Sequence, residues 1–143
     1  MILLKLHQTW RQRCMEWMLS AGLTGWGGIL LLPDAEFAHN TYYQPLANIA
    51  SENVWGLAAL VIGAGRLTLL YINGSWRKSP GWRQVGSIFG LTVWSGLLFG
   101  SIVQPKATPI SAISVMILLM EYFSLTFAMD DARTQKKEDA NGG

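Results

Sequence analysis

The chain has 143 residues, of which 50% are hydrophobic and only 14% are charged, and its net charge is +2. The charged fraction is well below the roughly 25% of an ordinary soluble domain, and so small a net charge gives no support to nucleic-acid binding. The single cysteine excludes an internal disulfide and a zinc site built on cysteine spacing. Composition therefore favours one membrane domain.

An N-terminal amphipathic helix is predicted over residues 2–17. Its apolar residues recur at three- and four-residue spacing, at Leu3, Leu6, Trp10, Cys14 and Trp17. Basic and polar residues occupy the other side, which is typical of a helix lying in the membrane surface. The alternative interpretation is a simple extension of the first spanning helix into water.

Four apolar runs follow, and each is close to the length of a membrane-spanning helix. They cover about residues 15–32, 54–72, 85–103 and 110–129. The sequence therefore predicts an all-α fold, a four-helix transmembrane bundle in a single membrane domain over residues 1–129. Gln44-Pro45 can begin a helix early, so the second helix is expected from about residue 46. The polar tail, 130–143, is predicted to be disordered, or helical only at its root.

Positive charges are distributed unequally between the two sides of this bundle. One side carries Lys5, Arg11, Arg13, Arg77, Lys78, Arg83, Arg133, Lys136 and Lys137. The other side carries only Lys106. The positive-inside rule then predicts a multi-pass protein with both termini in the cytoplasm.

Arg66 and Glu121 are the charges within the apolar runs. A charge in a membrane helix costs roughly 2.5–3.5 kcal/mol and needs a partner or water. Counted from the cytoplasmic ends of their spans, the two residues differ in height by about 3 Å, so an intramembrane ion pair is predicted. The pair can fix the register of the helices, or it can form an ion- or proton-linked site.

Small residues mark the predicted helix-packing faces. In the second span Gly56, Ala59 and Gly63 share a face with Arg66, and this stripe is predicted to pack against the fourth span. The third span holds two GxxxG patterns, formed by Gly86 with Gly90 and by Gly96 with Gly100. One pair can serve the bundle and the other a second copy of the protein, so a homo-oligomer through the third span is an open possibility.

The loop after the second span alternates basic residues with tryptophan. Trp76, Arg77, Lys78, Trp82 and Arg83 form a candidate site for anionic headgroups. The alternative is that these residues only supply the topology signal and the aromatic belt. Glu16 lies at the mouth of the first span and is expected to cap the helix or to pair locally.

Catalytic and metal-binding patterns are not found in the sequence. There is no nucleophile with a base, no carboxylate pair and no phosphate-binding loop, so a non-enzymatic protein is predicted. His7 and His39 fall on opposite sides of the membrane in the predicted topology and cannot share a metal. No cofactor, metal or nucleic-acid partner is therefore expected, and the lipid bilayer is the predicted partner.

Several motifs resemble small membrane proteins encoded by tailed bacteriophages, some of which are called holin-like. They are WRQRCMEW, Val54-Trp55-Gly56, the Gly-x-Gly-Arg-Leu around Arg66, and INGSWRKSP. The similarity covers about residues 10–85. It implies an inner-membrane location in an infected bacterium and a role in lysis or in altering the host envelope. Two features depart from holins, namely a fourth predicted span and a tail of mixed rather than basic charge. Small multidrug exporters are similar in size only.

Three functional hypotheses follow. The first is a phage-type protein that oligomerises in the host inner membrane or modifies it. The second is a small ion- or solute-coupled carrier that uses Arg66 and Glu121. The third is an accessory subunit that binds a larger membrane protein through the glycine face of the third span.

Overall fold

A computed structural model of the chain describes residues 2–33, 36–72, 80–104 and 109–141. The elements in chain order are α1 (Ile2–Leu30), α2 (Glu36–His39), a 3₁₀ turn (Thr41–Tyr43), α3 (Gln44–Ala47), α4 (Glu52–Ile72), α5 (Pro80–Ile102) and α6 (Pro109–Asn141). The fold is all-helical within these residues, as predicted. The helix α5 begins at Pro80, whose missing N–H costs nothing in a first turn.

Three helices are long and apolar enough to cross a membrane. These are Glu52–Tyr71 in α4, Gly81–Ile102 in α5 and Pro109–Thr134 in α6, and they match the second, third and fourth predicted spans. The described part of the chain is therefore compatible with a small integral membrane protein. Most of the first predicted span, 15–32, lies in α1, which is not among these three.

A break in the helical backbone divides α1. Arg13 has φ −127° and ψ 20°, outside the α-helical region, although helical hydrogen bonding continues on both sides. The predicted amphipathic helix, 2–17, is helical but is interrupted at this residue. Whether it lies in the membrane surface depends on side chains before Arg13, which fall outside the described residues.

The helices α1 and α4 pack closely against each other. A Cβ built on Gly27 would lie 2.5 Å from the backbone nitrogen of Leu60, and one built on Gly63 would lie 2.7 Å from the backbone nitrogen of Thr24. Only small residues allow such an approach. The prediction that the stripe of Gly56, Ala59 and Gly63 packs against the fourth span is therefore wrong. The stripe faces α1, because α1 offers its own small residues at the same heights, whereas α6 packs mainly against α5.

Replacing Gly27 by alanine is expected to destabilise the fold by about 1–3 kcal/mol, because the added methyl group must push the backbones of α1 and α4 apart. The adjacent Gly28 is the matched control, since nothing lies within 4 Å of a Cβ at that position. Gly28→Ala should be neutral or slightly stabilising. Denaturant titration in detergent, followed by circular dichroism, measures both variants. Equal stability of the two would contradict the close α1–α4 contact.

The chain between α1 and α4 folds over one end of the bundle. It contributes Tyr43 and Leu46 to a buried apolar cluster with Leu30, Trp94 and Leu97. A second helix starting near residue 46 was predicted, and this is wrong. Pro45 belongs to the short α3, and α4 begins separately at Glu52. The carboxylate of Glu52, in the first turn of α4, accepts hydrogen bonds from the backbone N–H groups of Glu36 and Phe37 at 2.9 and 3.2 Å and so joins α4 to α2.

Aromatic side chains fix this end of the bundle. The indole of Trp55 donates a hydrogen bond of 2.9 Å to the carbonyl oxygen of Leu46. The indole of Trp26 donates one of 3.4 Å to the hydroxyl of Tyr43. Burial raises the pKa of Tyr43 to about 12, so its hydroxyl stays neutral at physiological pH.

The polar tail differs from its prediction, because α6 continues as a helix to Asn141. The initiation of a helix is its costly step, and the apolar part of α6 has already met that cost. Extension then needs only residues with good helix propensity, and the tail is rich in Ala, Arg, Gln, Lys and Glu. The low hydrophobicity of residues 130–141 therefore did not predict their conformation correctly.

Candidate functional site: a buried charge network

Arg66 of α4 and Glu121 of α6 form an ion pair inside the bundle. The Nη1 of Arg66 lies 3.0 Å from Oε1 of Glu121 and 3.4 Å from its Oε2. The two side chains are 3% and 1% exposed. The structure thus brings together the two residues that the sequence singled out as intramembrane charges.

Two serines complete the hydrogen bonding of this pair. The Nη2 of Arg66 is 3.5 Å from the hydroxyl oxygens of Ser87 in α5 and Ser124 in α6. The Ser87 hydroxyl also lies 3.1 Å from the Ser124 hydroxyl. The guanidinium therefore links α4, α5 and α6. A buried charge pair is tolerated only when such additional hydrogen bonds satisfy its remaining polar atoms.

The first GxxxG pattern of α5 makes room for the ion pair. A Cβ on Gly86 would collide with the side chain of Arg66, and one on Gly90 would collide with the carboxyl group of Glu121. The glycines thus admit two long charged side chains between helices that would otherwise close on each other. The sequence singled out these glycines but could not identify what they contact.

The second GxxxG pattern contacts the segment that closes the bundle. A Cβ on Gly96 would lie 2.7 Å from Leu46, and one on Gly100 would collide with the backbone of Tyr42. Both glycine pairs of α5 therefore face parts of the same chain. A second copy of the protein would have to use another face of this helix.

A second charge cluster joins α1, α5 and α6. Arg83 forms ion pairs with the buried Glu16 and with Asp131, and its Nη1 lies 2.5 Å from Oδ2 of Asp131. The local pairing expected for Glu16 is wrong, because its partner is 67 residues further along the chain. Sequence spacing carries no signal for so distant a contact. The only clue was a basic residue at the start of the third span.

The candidate headgroup site is described only in part. Trp76, Arg77 and Lys78 lie outside the described residues. Trp82 is 41% exposed in the first turn of α5, and its indole lies over Gly65 of α4. Arg83 is held between two carboxylates rather than projecting from a loop.

Comparison of the chain with protein-family models, curated proteins and solved structures finds no match. The charge network, the apolar exterior and the surface pockets are therefore the observations from which a function has to be inferred. Within the described residues, no group of three or more His, Cys, Asp or Glu side chains is placed to hold a metal ion.

Proposed function

We propose that the chain is a non-enzymatic, phage-type protein that spans the host inner membrane four times and oligomerises in it or modifies it, in a holin-like manner. Both termini lie in the cytoplasm. The observation that carries the proposal is a saturated ion pair within an apolar shell. The charges of Arg66 and Glu121 are buried and satisfied, while the large apolar side chains of three spans face outward, toward lipid.

The contact between α1 and α4 supports the fourth span. Gly27 lies against Gly56 and Ala59, and Thr24 lies against Gly63. The two helices therefore run antiparallel, and if α4 crosses the bilayer, this part of α1 lies at the same depth. Residues Glu16 to Leu30 extend about 21 Å, from the level of Arg83 at one end to that of Trp94 at the other.

The outer surface supports action within the bilayer. Exposed apolar side chains cover the faces of α4, α5 and α6 that do not contact another helix, for example Val61, Ile88, Phe99, Met116 and Leu119. Such a surface is stable in lipid and would aggregate in water. The glycine pairs of α5 are covered by other parts of the same chain. Contact with further copies would therefore use the outer faces of α5 and α6.

The saturation of the ion pair favours a structural role for it. Arg66 has three polar partners and Glu121 shares its carboxylate with two guanidinium nitrogens. A coupled carrier needs an acid that can take up and release its ion or proton, and this carboxylate is already neutralised by a fixed cation. The pair then sets the register of α4, α5 and α6.

Controlled expression in a bacterium tests the holin-like part of the proposal. Abrupt loss of membrane potential together with growth arrest is expected after induction, because an oligomerising protein of this kind makes lesions in the membrane. A potential-sensitive dye and culture density measure both effects. An equally expressed four-span protein of the host is the control for crowding of the membrane. Unchanged potential at high expression would overturn holin-like action without affecting the membrane placement.

A small coupled carrier remains the second candidate, and one observation favours it. A surface pocket has Arg66 among its lining residues, so a ligand in it would lie next to the arginine of the buried pair. Transport assays in vesicles with Glu121→Gln would separate the two candidates. A carrier would lose its coupling, whereas a purely structural pair would affect only the stability of the fold.

A further inference from the structure

A pocket opens at the end of the bundle where Arg83 meets Glu16. It is a small, partly open crevice, lined by Arg13, Glu16, Arg66, Leu69, Leu70, Trp82 and Arg83. The lining comes from the break in α1, the last turns of α4 and the first turn of α5. It is therefore a crevice between helices, and it shares Trp82 and Arg83 with the headgroup site predicted from the sequence.

The lining is unusually rich in guanidinium groups. Three arginines face the pocket, and one carboxylate, that of Glu16, faces it with them. Glu121 and Asp131, which neutralise Arg66 and Arg83, are not among the lining residues. Arginines therefore outnumber carboxylates among the lining residues, although the wider cluster is close to neutral and most of the accessible lining is apolar.

Hydrogen-bond donors in this pocket are left over after the ion pairs are formed. Arg13 has no ion-pair or hydrogen-bond partner within the described part of the chain. The Nε of Arg83 is buried and has no partner in that part either. Leaving a buried donor unpaired costs roughly 1–3 kcal/mol, but this nitrogen has almost no accessible surface, so the guanidinium of Arg13 is the free donor that a ligand in the pocket would meet.

We propose that this pocket binds the phosphate group of an anionic membrane lipid. Guanidinium groups recognise phosphate through two parallel hydrogen bonds, which gives both strength and geometry. Basic pockets between membrane helices near the cytoplasmic surface are suited to such headgroups. Leu69 and Leu70 supply an apolar wall for the glycerol and acyl carbons, and Trp82 belongs to the residue type that favours this depth. The proposal rests on membrane insertion and is independent of holin-like action.

Lipid retention by the purified full-length chain tests this site. The protein in neutral detergent is offered phosphatidylglycerol or phosphatidylcholine, and native mass spectrometry counts the lipids that stay bound. Phosphatidylglycerol should be preferred, and Arg13→Gln should weaken its binding about fivefold, the factor expected for one basic residue. Arg13→Lys should recover only part of the affinity, because it keeps the charge but cannot form two parallel hydrogen bonds.

Arg133→Gln is the matched control, because it removes the same charge from an exposed side chain that is not among the lining residues. Melting followed by circular dichroism must show that both glutamine variants are folded. Equal binding by wild type and Arg13→Gln, an equal loss in both variants, or no preference for phosphatidylglycerol would each overturn the proposal. Competition with inorganic phosphate shows whether the pocket recognises the phosphate group alone or the whole lipid. Displacement of the lipid shows that the phosphate alone is recognised, and its failure shows that the lipid body is needed as well.

Discussion

Replacing Arg66 by glutamine is expected to destabilise the bundle by about 3–5 kcal/mol. The substitution leaves the carboxylate of Glu121 buried, 1% exposed, with no cation beside it. Ser87 and Ser124 lose their shared contact with the guanidinium at the same time. Glu121→Gln should cost at least as much, because it leaves the guanidinium of Arg66 buried without a carboxylate, and an arginine cannot lose its charge as a carboxyl group can. Denaturant titration in detergent measures both.

Exchange of the two charges separates a structural from a functional role. Arg66→Glu combined with Glu121→Arg should recover much of the stability that each single reversal loses, because the attraction is restored. Arg133→Gln, at the exposed pair with Asp130, is the control and should change stability by no more than about 1 kcal/mol. If the double variant folds and every phenotype returns, the pair is structural. If it folds while a phenotype stays lost, the pair takes part in the activity.

Replacing Gly90 by alanine is also expected to destabilise the bundle strongly, lowering its free energy of unfolding by about 1–3 kcal/mol. The new Cβ would lie 2.7 Å from Cδ of Glu121, which is held by Arg66 and cannot easily move. Gly90→Leu should prevent assembly of α5 with α6. Gly22→Ala is the control, because nothing lies within 4 Å of a Cβ there.

A double variant identifies the cause of the Gly90 effect. If the methyl group acts by displacing Glu121, then Gly90→Ala should cost much less when Glu121 has already been replaced by alanine. A double-mutant cycle of wild type, the two single variants and the double variant gives the coupling energy between positions 90 and 121. Independent effects of the two substitutions would show that Gly90 acts on the backbone packing of α5 and not on the ion pair.

The spans, and the depths of the two charges within them, could be predicted because both follow from the local sequence. Hydropathy and length identify α4, α5 and α6, and the depths of Arg66 and Glu121 follow from counting residues along a helix. The partners of small residues could not be predicted in the same way. A stripe such as that of Gly56 and Gly63 fits any helix with small residues at matching heights. Whether α1 or α6 packs against it depends on how all the helices pack together.

Long-range polar contacts were the other features that the sequence did not reveal. Glu16 and Asp131 each lie far along the chain from Arg83, and no periodicity connects them. Glu52 looked like an ordinary residue before a span, yet its carboxylate binds the first N–H groups of α2. The tail was misjudged because composition reports whether a segment can fold alone, not whether it can extend a helix that already exists.

The number of membrane crossings is central to the proposed function. If α1 crosses together with α4, α5 and α6, both termini lie on one side of the membrane. If only the three most apolar helices cross, the N-terminus and the tail lie on opposite sides. The side of residue 8 relative to residue 137 therefore decides between the two arrangements.

Labelling of introduced cysteines measures this most directly. With the exposed Cys14 replaced by serine, Gln8→Cys and Lys137→Cys are treated in intact cells with a membrane-impermeant maleimide, and again after permeabilisation. His39→Cys, between α1 and α4, is the control for the opposite side. We expect positions 8 and 137 to react only after permeabilisation and position 39 to react in intact cells. Labelling of position 8 in intact cells, with position 137 protected, would contradict the four-span arrangement.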